Sequence, residues 1–140
     1  MTAPKNILVA LDFSSHSDTA LATAAEMAER LDAKLHLLHV FTLQDKDEQE
    51  DLEDAQAEER QKLEAAAARL RPAGYLGDVL WHEGDPKSEI VNVAEEKGVD
   101  LIVLGATSLR GLKRLWLDDV AESVAKDAKT SVLVVRKPEA

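Results

Sequence analysis

The hydrophobic residues of the chain form two kinds of pattern: continuous apolar runs, and stripes spaced by three and four residues. The run ILVAL, Ile7 to Leu11, is apolar throughout. Such a run is typical of a strand that is buried on both faces of a parallel sheet. Further strands are predicted at Lys34 to Phe41, about Gly77 to His82, Asp100 to Gly105 and Ser131 to Arg136.

Helical spacing begins directly after the first apolar run. Ser15 is the expected N-cap, and Asp18 three positions later is a weaker form of the usual capping box. Apolar residues then recur on one helical face. They are Ala20, Leu21, Ala24, Met27, Ala28 and Leu31.

A second helix follows an acidic stretch that is typical of a solvated loop and an exposed helix face. The helix is expected to end near Pro72 and Gly74. Its apolar stripe is narrow and consists of Leu52, Ala55, Leu63, Ala66, Ala67 and Leu70.

The third helix has the clearest start in the sequence. Asp85 is the expected N-cap, Pro86 suits the first helical position, and Gly98 ends the helix. A last helix is predicted from about Asp119 to Asp127. Strands that alternate with helices predict an α/β fold, with a parallel sheet, right-handed crossovers and helices on both faces.

The composition narrows the class of protein. The chain has 140 residues, 45% of them hydrophobic and 31% charged, which suits one soluble domain over residues 1–140. No apolar run approaches the length of a membrane-spanning helix, so we expect a cytoplasmic protein that does not enter membranes. The absence of cysteine excludes disulfides and thiol catalysis, and the net charge of -10 argues against nucleic-acid binding.

Histidine and serine residues offer little catalytic chemistry. His36 and His39 share a predicted strand at an odd separation, so they should point to opposite faces and cannot share a metal ion. Ser14, His16 and Asp18 include the residue types of a hydrolytic triad, but they are neighbours in one turn and are better explained by helix capping. His82 and Glu83 are expected on the rim of a ligand crevice, at the end of the third strand.

Three stretches, in this order and spacing, resemble the universal stress protein family over nearly the full length of the chain. They are NILVALDFS, EGDPKSEIVNVAEEKGVDLIVLG and GLKRLWLDDVAESVAKDAKTSVLVVR. The resemblance implies an α/β/α sandwich of the adenine-nucleotide alpha hydrolase-like type. Its five-stranded parallel sheet should have the order 3-2-1-4-5, with a ligand crevice where the chain reverses direction across the sheet.

Nucleotide-binding members of that family hold ATP in this crevice. The resemblance implies that Asp12 faces the ribose or base, that the Val40 backbone meets adenine, and that Gly105 begins the phosphate pattern G-x2-G-x9-G-[ST]. The remaining three positions of the pattern depart from it: they are Ser108, Asp118 and Asp119.

These departures weaken an anion site in the loop. Ser108 and Asp118 replace glycines that let backbone amides approach a phosphate. Asp119 can cap a helix, but when ionised it only accepts hydrogen bonds. One carboxylate about 5 Å from a phosphate charge costs roughly 3 kcal/mol at an effective dielectric near 20.

Basic residues and a metal ion could offset that repulsion. Arg110, Lys113 and Arg114 lie in the same loop, and a bound Mg²⁺ could turn the aspartates into bridging groups. Trp116, just before the aspartates, suits core or interface packing better than stacking on a ligand.

The preferred interpretation is a protein that is not an enzyme and has no cofactor. It would act in stress response as a homodimer through an unidentified protein partner, without tight ATP binding. The dimer is expected to form through the last strand, Ser131 to Arg136, whose open edge invites a second copy. The alternatives are an ATP-binding switch whose atypical loop uses Mg²⁺, and a carrier of another small ligand in the same crevice.

Overall fold

Five apolar runs of the chain form the five strands of one parallel sheet. The computed structural model describes residues 2–42, 51–106 and 120–138. Its strands are β1 Asn6–Ala10, β2 Lys34–Phe41, β3 Leu76–Glu83, β4 Leu101–Gly105 and β5 Ser131–Val135. Its α-helices are α1 Ser15–Leu31, α2 Leu52–Leu70, α3 Pro86–Lys97 and α4 Val120–Asp127, and a single 3-10 turn, Arg71–Ala73, follows α2.

The strand order is β3-β2-β1-β4-β5, and every neighbouring pair is parallel. The fold class and the order 3-2-1-4-5 predicted from the sequence are therefore confirmed. β1 lies at the centre of the sheet, where Leu8 pairs with His36 on one side and with Ile102 on the other. This position explains why the β1 run is apolar on both faces.

Two apolar layers enclose the sheet. Ile7 and Val9 pack with α1 and α2 on one face, whereas Leu8 and Ala10 pack with α3 and α4 on the other. None of the described helices is both long enough and apolar enough to cross a membrane.

The N-cap of α1 differs from the sequence-based prediction. Ser14, not Ser15, caps the helix, because its extended backbone (φ -81°, ψ 166°) lets its hydroxyl oxygen accept the N–H of Ser17 at 3.2 Å. Ser15 is the first helical residue and is exposed.

Two residues of the predicted apolar stripes are not core residues. Leu31 is 40% exposed because it lies in the last turn of α1, where Asp32 adopts a left-handed φ of 55° and the chain turns toward β2. Leu52 is 44% exposed because it is the first residue of α2. The other residues of the two stripes are buried, except Met27 and Leu70, which are partly buried against the core.

Helix α3 begins and ends as the sequence predicts. The carboxylate of Asp85 accepts the N–H of Lys87 at 3.2 Å, Pro86 opens the helix, and Gly98 ends it with a φ of 62°. Strand ends differ from the predictions by one residue in most cases. β1, for example, ends at Ala10, although the N–H of Leu11 still donates to the carbonyl of Leu38 at 2.8 Å.

Candidate functional site

The candidate site lies at the carboxyl ends of β1 and β4, where the strand order reverses. The connection after β1 leads to β2 on one side of the sheet, while β4 lies on the other, and such a divergence leaves a crevice. The cavity there has a volume of about 10 Å³, which is about the room that one water molecule needs. It is lined by Ala10, Asp12, Ser14, Ser17, Leu104, Gly105, Val120 and Ala121.

Asp12 organises the turn between β1 and α1. One oxygen of its carboxylate accepts the N–H of Ser14 at 3.0 Å and the hydroxyl of Ser14 at 2.6 Å. The Ser14 oxygen in turn accepts the N–H of Ser17. Asp12 therefore anchors the residue that caps α1, a role that needs no ligand.

The Ser14 hydroxyl donates its proton to Asp12 rather than to a histidine. His16 instead has a buried Nδ1 with no hydrogen-bond partner among the described residues. This arrangement differs from a hydrolytic triad, in which a histidine must accept the proton of the nucleophile.

Gly105 lies directly against the first turn of α1. A Cβ on Gly105 would fall 2.5 Å from the carbonyl oxygen of His16 and 2.9 Å from the backbone nitrogen of Ser17. Both contacts are with backbone atoms that cannot rotate away. Packing alone therefore requires a glycine at this position, whatever the crevice binds.

The other residues carried over from the family are placed differently. Val40 is fully buried near the end of β2, pairs with His82, and does not line the cavity between Asp12 and Gly105. The structure thus brings Asp12 and Gly105 together at this cavity. The remaining loop residues singled out by the sequence lie outside the described residues: Ser108, Arg110, Lys113, Arg114, Trp116, Asp118 and Asp119.

His36 and His39 point to opposite faces of the sheet, as predicted. On the α3 side, Nδ1 of His36 accepts the N–H of Asp78 at 2.9 Å. Its Nε2 must then carry the proton, which it donates to the side-chain oxygen of Asn6 at 3.1 Å. Burial lowers the pKa of His36, Asp78 opposes that shift, and Lys34 and Lys97 add to it.

His39 lies on the α2 side, immediately behind the Asp12 turn. Its Nδ1 is 2.6 Å from the carbonyl oxygen of Leu11, and its Nε2 is 2.7 Å from a carboxylate oxygen of Glu59. The rings of Phe13 and Trp81 flank it, with centroids 4.4 and 5.3 Å away.

No pattern in the sequence predicts this cluster. Phe13 follows Asp12 with a left-handed φ of 65°, which is unusual for an aromatic residue and directs the chain into the α1 cap. Glu59 lies in the acidic stretch interpreted as a solvated helix face. No local sequence signal distinguishes it from its neighbours.

The predicted rim residues pair with nearby groups. Nδ1 of His82 is 2.9 Å from a carboxylate oxygen of Glu89 in α3. Glu83 accepts the indole N–H of Trp81 at 3.4 Å. Within residues 2–42, 51–106 and 120–138, no three acidic or histidine side chains converge as a metal site.

A parallel sheet of this order, with a crevice at the point of reversal, defines a doubly wound α/β protein. Within that class the chain belongs to the universal stress protein family, whose sequence model matches residues 4–136. The family predicted from the three sequence stretches is therefore confirmed.

Relatives and solved structures cover nearly the whole chain. Universal stress protein YxiE of Bacillus subtilis is 31% identical over 93% of this chain and 97% of its own length. The structure of MJ0577, a universal stress protein of Methanocaldococcus jannaschii, has a TM-score of 0.78 at 30% identity, covering 99% of this chain and 100% of its own. A universal stress protein in complex with cAMP has a TM-score of 0.74 at 26% identity, covering 96% of this chain and 98% of its own.

Proposed function

We propose that this protein is a non-enzymatic universal stress protein that acts as a homodimer through protein partners and does not bind ATP tightly. One observation carries the proposal. Asp12 and Gly105, the two carried-over ligand residues that meet at the crevice, both serve the docking and capping of α1, and the cavity between them is about 10 Å³.

The size of the cavity argues against a resident nucleoside triphosphate. Sites for ligands of that size typically enclose about 300 to 1,000 Å³. ATP would need far more room than the cavity that the described residues line at this point.

The negative charge of the loop also argues against tight ATP binding. Asp118 and Asp119 occupy positions where nucleotide-binding relatives are expected to carry a glycine and a hydroxyl residue. Each carboxylate near a phosphate lowers affinity by roughly a hundredfold under the conditions considered above.

The test is to denature the purified protein, look for released adenine nucleotide, and then titrate folded protein with ATP and Mg²⁺ in a thermal-shift assay. We expect no released nucleotide and no shift at millimolar ATP. A clear shift that Asp12→Asn abolishes would contradict the proposal.

A gain-of-function variant tests the charge argument directly. Asp118→Gly with Asp119→Ser should create or strengthen ATP binding if the two carboxylates exclude the phosphates. Glu122→Gln with Asp127→Asn is the matched control, because it removes two acidic charges from α4 without changing the loop. Equal responses of the two double variants would show that net charge, rather than the loop, controls affinity.

A second candidate is a site for an adenosine monophosphate, cyclic or linear. The observation that favours it is the solved universal stress protein complex with cAMP, at 26% identity and a TM-score of 0.74. A cyclic monophosphate carries one negative charge, so acidic residues repel it less than they repel ATP. Calorimetric titration with cAMP, AMP and ATP distinguishes the candidates, because binding of cAMP or AMP without ATP would favour the second.

The edge strand β5 supports the proposed dimer. The N–H of Ala106 donates to the carbonyl of Val135, so the backbone groups of Val135 face β4. Backbone direction alternates along a strand, which turns the N–H and C=O groups of Val132 and Val134 away from β4. In the described part of the chain β5 pairs only with β4, and these outward groups suit pairing with a second copy.

Size-exclusion chromatography with light scattering tests the dimer. We expect a mass of two chains at micromolar concentration. A single-chain mass under these conditions would contradict this part of the proposal without affecting the nucleotide result.

A further inference from the structure

The hydrogen-bond geometry of His39 and Glu59 requires one more proton than a neutral imidazole and an ionised carboxylate together carry. A carbonyl oxygen only accepts hydrogen bonds, so Nδ1 of His39, 2.6 Å from the Leu11 carbonyl, must carry a hydrogen. Nε2 lies 2.7 Å from the carboxylate of Glu59, and that contact is a hydrogen bond only if a second proton lies between them. The pair therefore holds one proton more than a neutral histidine and a carboxylate.

The surroundings make this proton structurally important. The His39 side chain is 3% exposed and that of Glu59 is 16% exposed, so water contributes little to their solvation. Without the proton, the lone pair of Nε2 would face a carboxylate oxygen at hydrogen-bonding distance. Such a buried contact between two acceptors is unfavourable, and the two side chains would separate.

The hydrogen bonds of His39 connect two parts of the molecule. Glu59 lies in α2, while the Leu11 carbonyl immediately precedes Asp12 in the turn that caps α1 and lines the crevice. Phe13 of the same turn packs against the His39 ring. One imidazole ring thus joins α2 to the β1–α1 turn.

We propose that the His39–Glu59 pair is a proton-dependent latch that fastens α2 to the Asp12 turn, and that loss of its proton loosens both. The latch does not depend on the proposed function, because no ligand takes part in it.

Other charged groups surround the pair on each packed element. In α2, Arg60 lies 4.1 Å from the ring centre of Trp81, and Lys62 lies 5.9 Å from that of Phe13. On the other packed elements, Asp12 in the turn precedes Phe13, and Glu83 at the end of β3 accepts the indole N–H of Trp81.

Nitrogen NMR of the histidine rings tests the latch in the intact protein. We expect the His39–Glu59 pair to hold the extra proton at neutral pH. The proton is either on the His39 ring, as an imidazolium, or on the Glu59 carboxyl beside a neutral ring. The chemical shift of the Glu59 carboxyl carbon distinguishes these two states. When raised pH removes this proton, as the same NMR signals report, amide protection in α2 and at Ser14 should fall about tenfold or more, the size expected for losing a hydrogen bond between charged groups.

Glu59→Gln is the decisive variant. Its side-chain amide can donate to a neutral Nε2, so the link between α2 and His39 survives without an extra proton. In this variant, the amide protection of α2 and Ser14 should not change as the pH is raised. Glu58→Gln is the matched control, because it removes an exposed α2 carboxylate paired with Lys62 and should titrate like the unaltered protein.

Two results would overturn the proposal. One is a neutral His39 ring beside an ionised Glu59 at neutral pH in the unaltered protein. The other is unchanged α2 protection as the proton leaves. Both are measured without any variant, so a failure of Glu59→Gln to fold would not obscure them.

Discussion

Gly77 lies directly against the ring of His36: a Cβ on this glycine would fall 2.5 Å from both Nδ1 and Cε1 of that ring. The register between β2 and β3 shifts at this point, because Leu35 pairs with Leu76 but Leu37 pairs with Val79. One residue of β2 therefore opposes two of β3, as in a β-bulge. The buried histidine fills the space that the glycine leaves.

This contact predicts that Gly77→Ala is destabilising and that truncating His36 relieves the cost. The added methyl group would displace a ring held by two hydrogen bonds, and we expect a loss of about 1 to 3 kcal/mol in the free energy of unfolding. In the His36→Ala background the methyl group has room, so the same change should cost less. Urea denaturation of the double-mutant cycle measures the coupling, and additive costs would contradict the prediction.

Gly105→Ala provides the contrasting case. Its added Cβ would meet the backbone of His16 and Ser17, so no side-chain truncation can make room for it. We expect a cost of about 1 to 3 kcal/mol that adds to the effect of His16→Ala within roughly 0.5 kcal/mol. Relief of the cost by His16→Ala would show that α1 moves more freely than this packing implies.

The lowered pKa of His36 predicts a loss of stability on acidification. The unfolded chain takes up a proton near the ordinary value of 6.5, whereas burial lowers the pKa in the folded state. Between those two values the unfolded state binds more protons, so the free energy of unfolding falls as pH drops below about 6.5 and is unaffected by this group above it.

His36→Asn removes this titration while leaving an oxygen that can accept the Asp78 N–H. Denaturation curves at several pH values from roughly 7 to 5 should show a shallower dependence in the variant than in the unaltered protein. The same slope in both would mean that other groups determine the acid sensitivity.

The capping geometry of α1 predicts different effects for two adjacent serines. Ser14→Ala removes the oxygen that accepts the Ser17 N–H and should lower the free energy of unfolding by about 1 kcal/mol. Ser15→Ala changes an exposed side chain at the first helical position and should alter stability by no more than about 0.5 kcal/mol. Thermal denaturation of both variants compares these effects. A larger loss of stability in Ser15→Ala would support Ser15 as the N-cap, as first predicted from the sequence.

The outward-facing amide of Val134 predicts a way to break the proposed dimer. Val134→Pro deletes an N–H that points away from β4, so the pairing of β4 with β5 should survive while the edge loses a donor. Light scattering should then report a single-chain mass. Val134→Thr keeps the amide and a branched side chain, and this control should remain a dimer.

Features set by short stretches of sequence could be predicted well. The α3 boundaries follow from Asp85, Pro86 and Gly98, because caps act within one helical turn. The continuous apolar run of β1 placed that strand in the interior of the sheet. The capping serine of α1 was missed by one residue, because both serines suit the position and only the backbone angles distinguish them.

Relationships between distant residues could not be predicted in the same way. The resemblance brought Asp12 and Gly105 to one crevice, but the reason for Gly105 depends on how closely α1 approaches β4. The contact of His39 with Glu59 joins residues 20 positions apart and depends on the rotation of α2 about its axis. Hydrophobic periodicity does not fix that rotation, because the apolar stripe of α2 is narrow.

The close approach of Gly105 to the first turn of α1 bears on how relatives of this protein are sorted. A survey that takes a glycine at the end of β4 as evidence of nucleotide binding would also include proteins in which that glycine is required only for the packing of α1 against β4. The later positions of the loop, occupied here by Ser108, Asp118 and Asp119, would separate the two groups, since nucleotide-binding members are expected to carry glycines and a hydroxyl residue there. Classification of the family by ligand should therefore begin there.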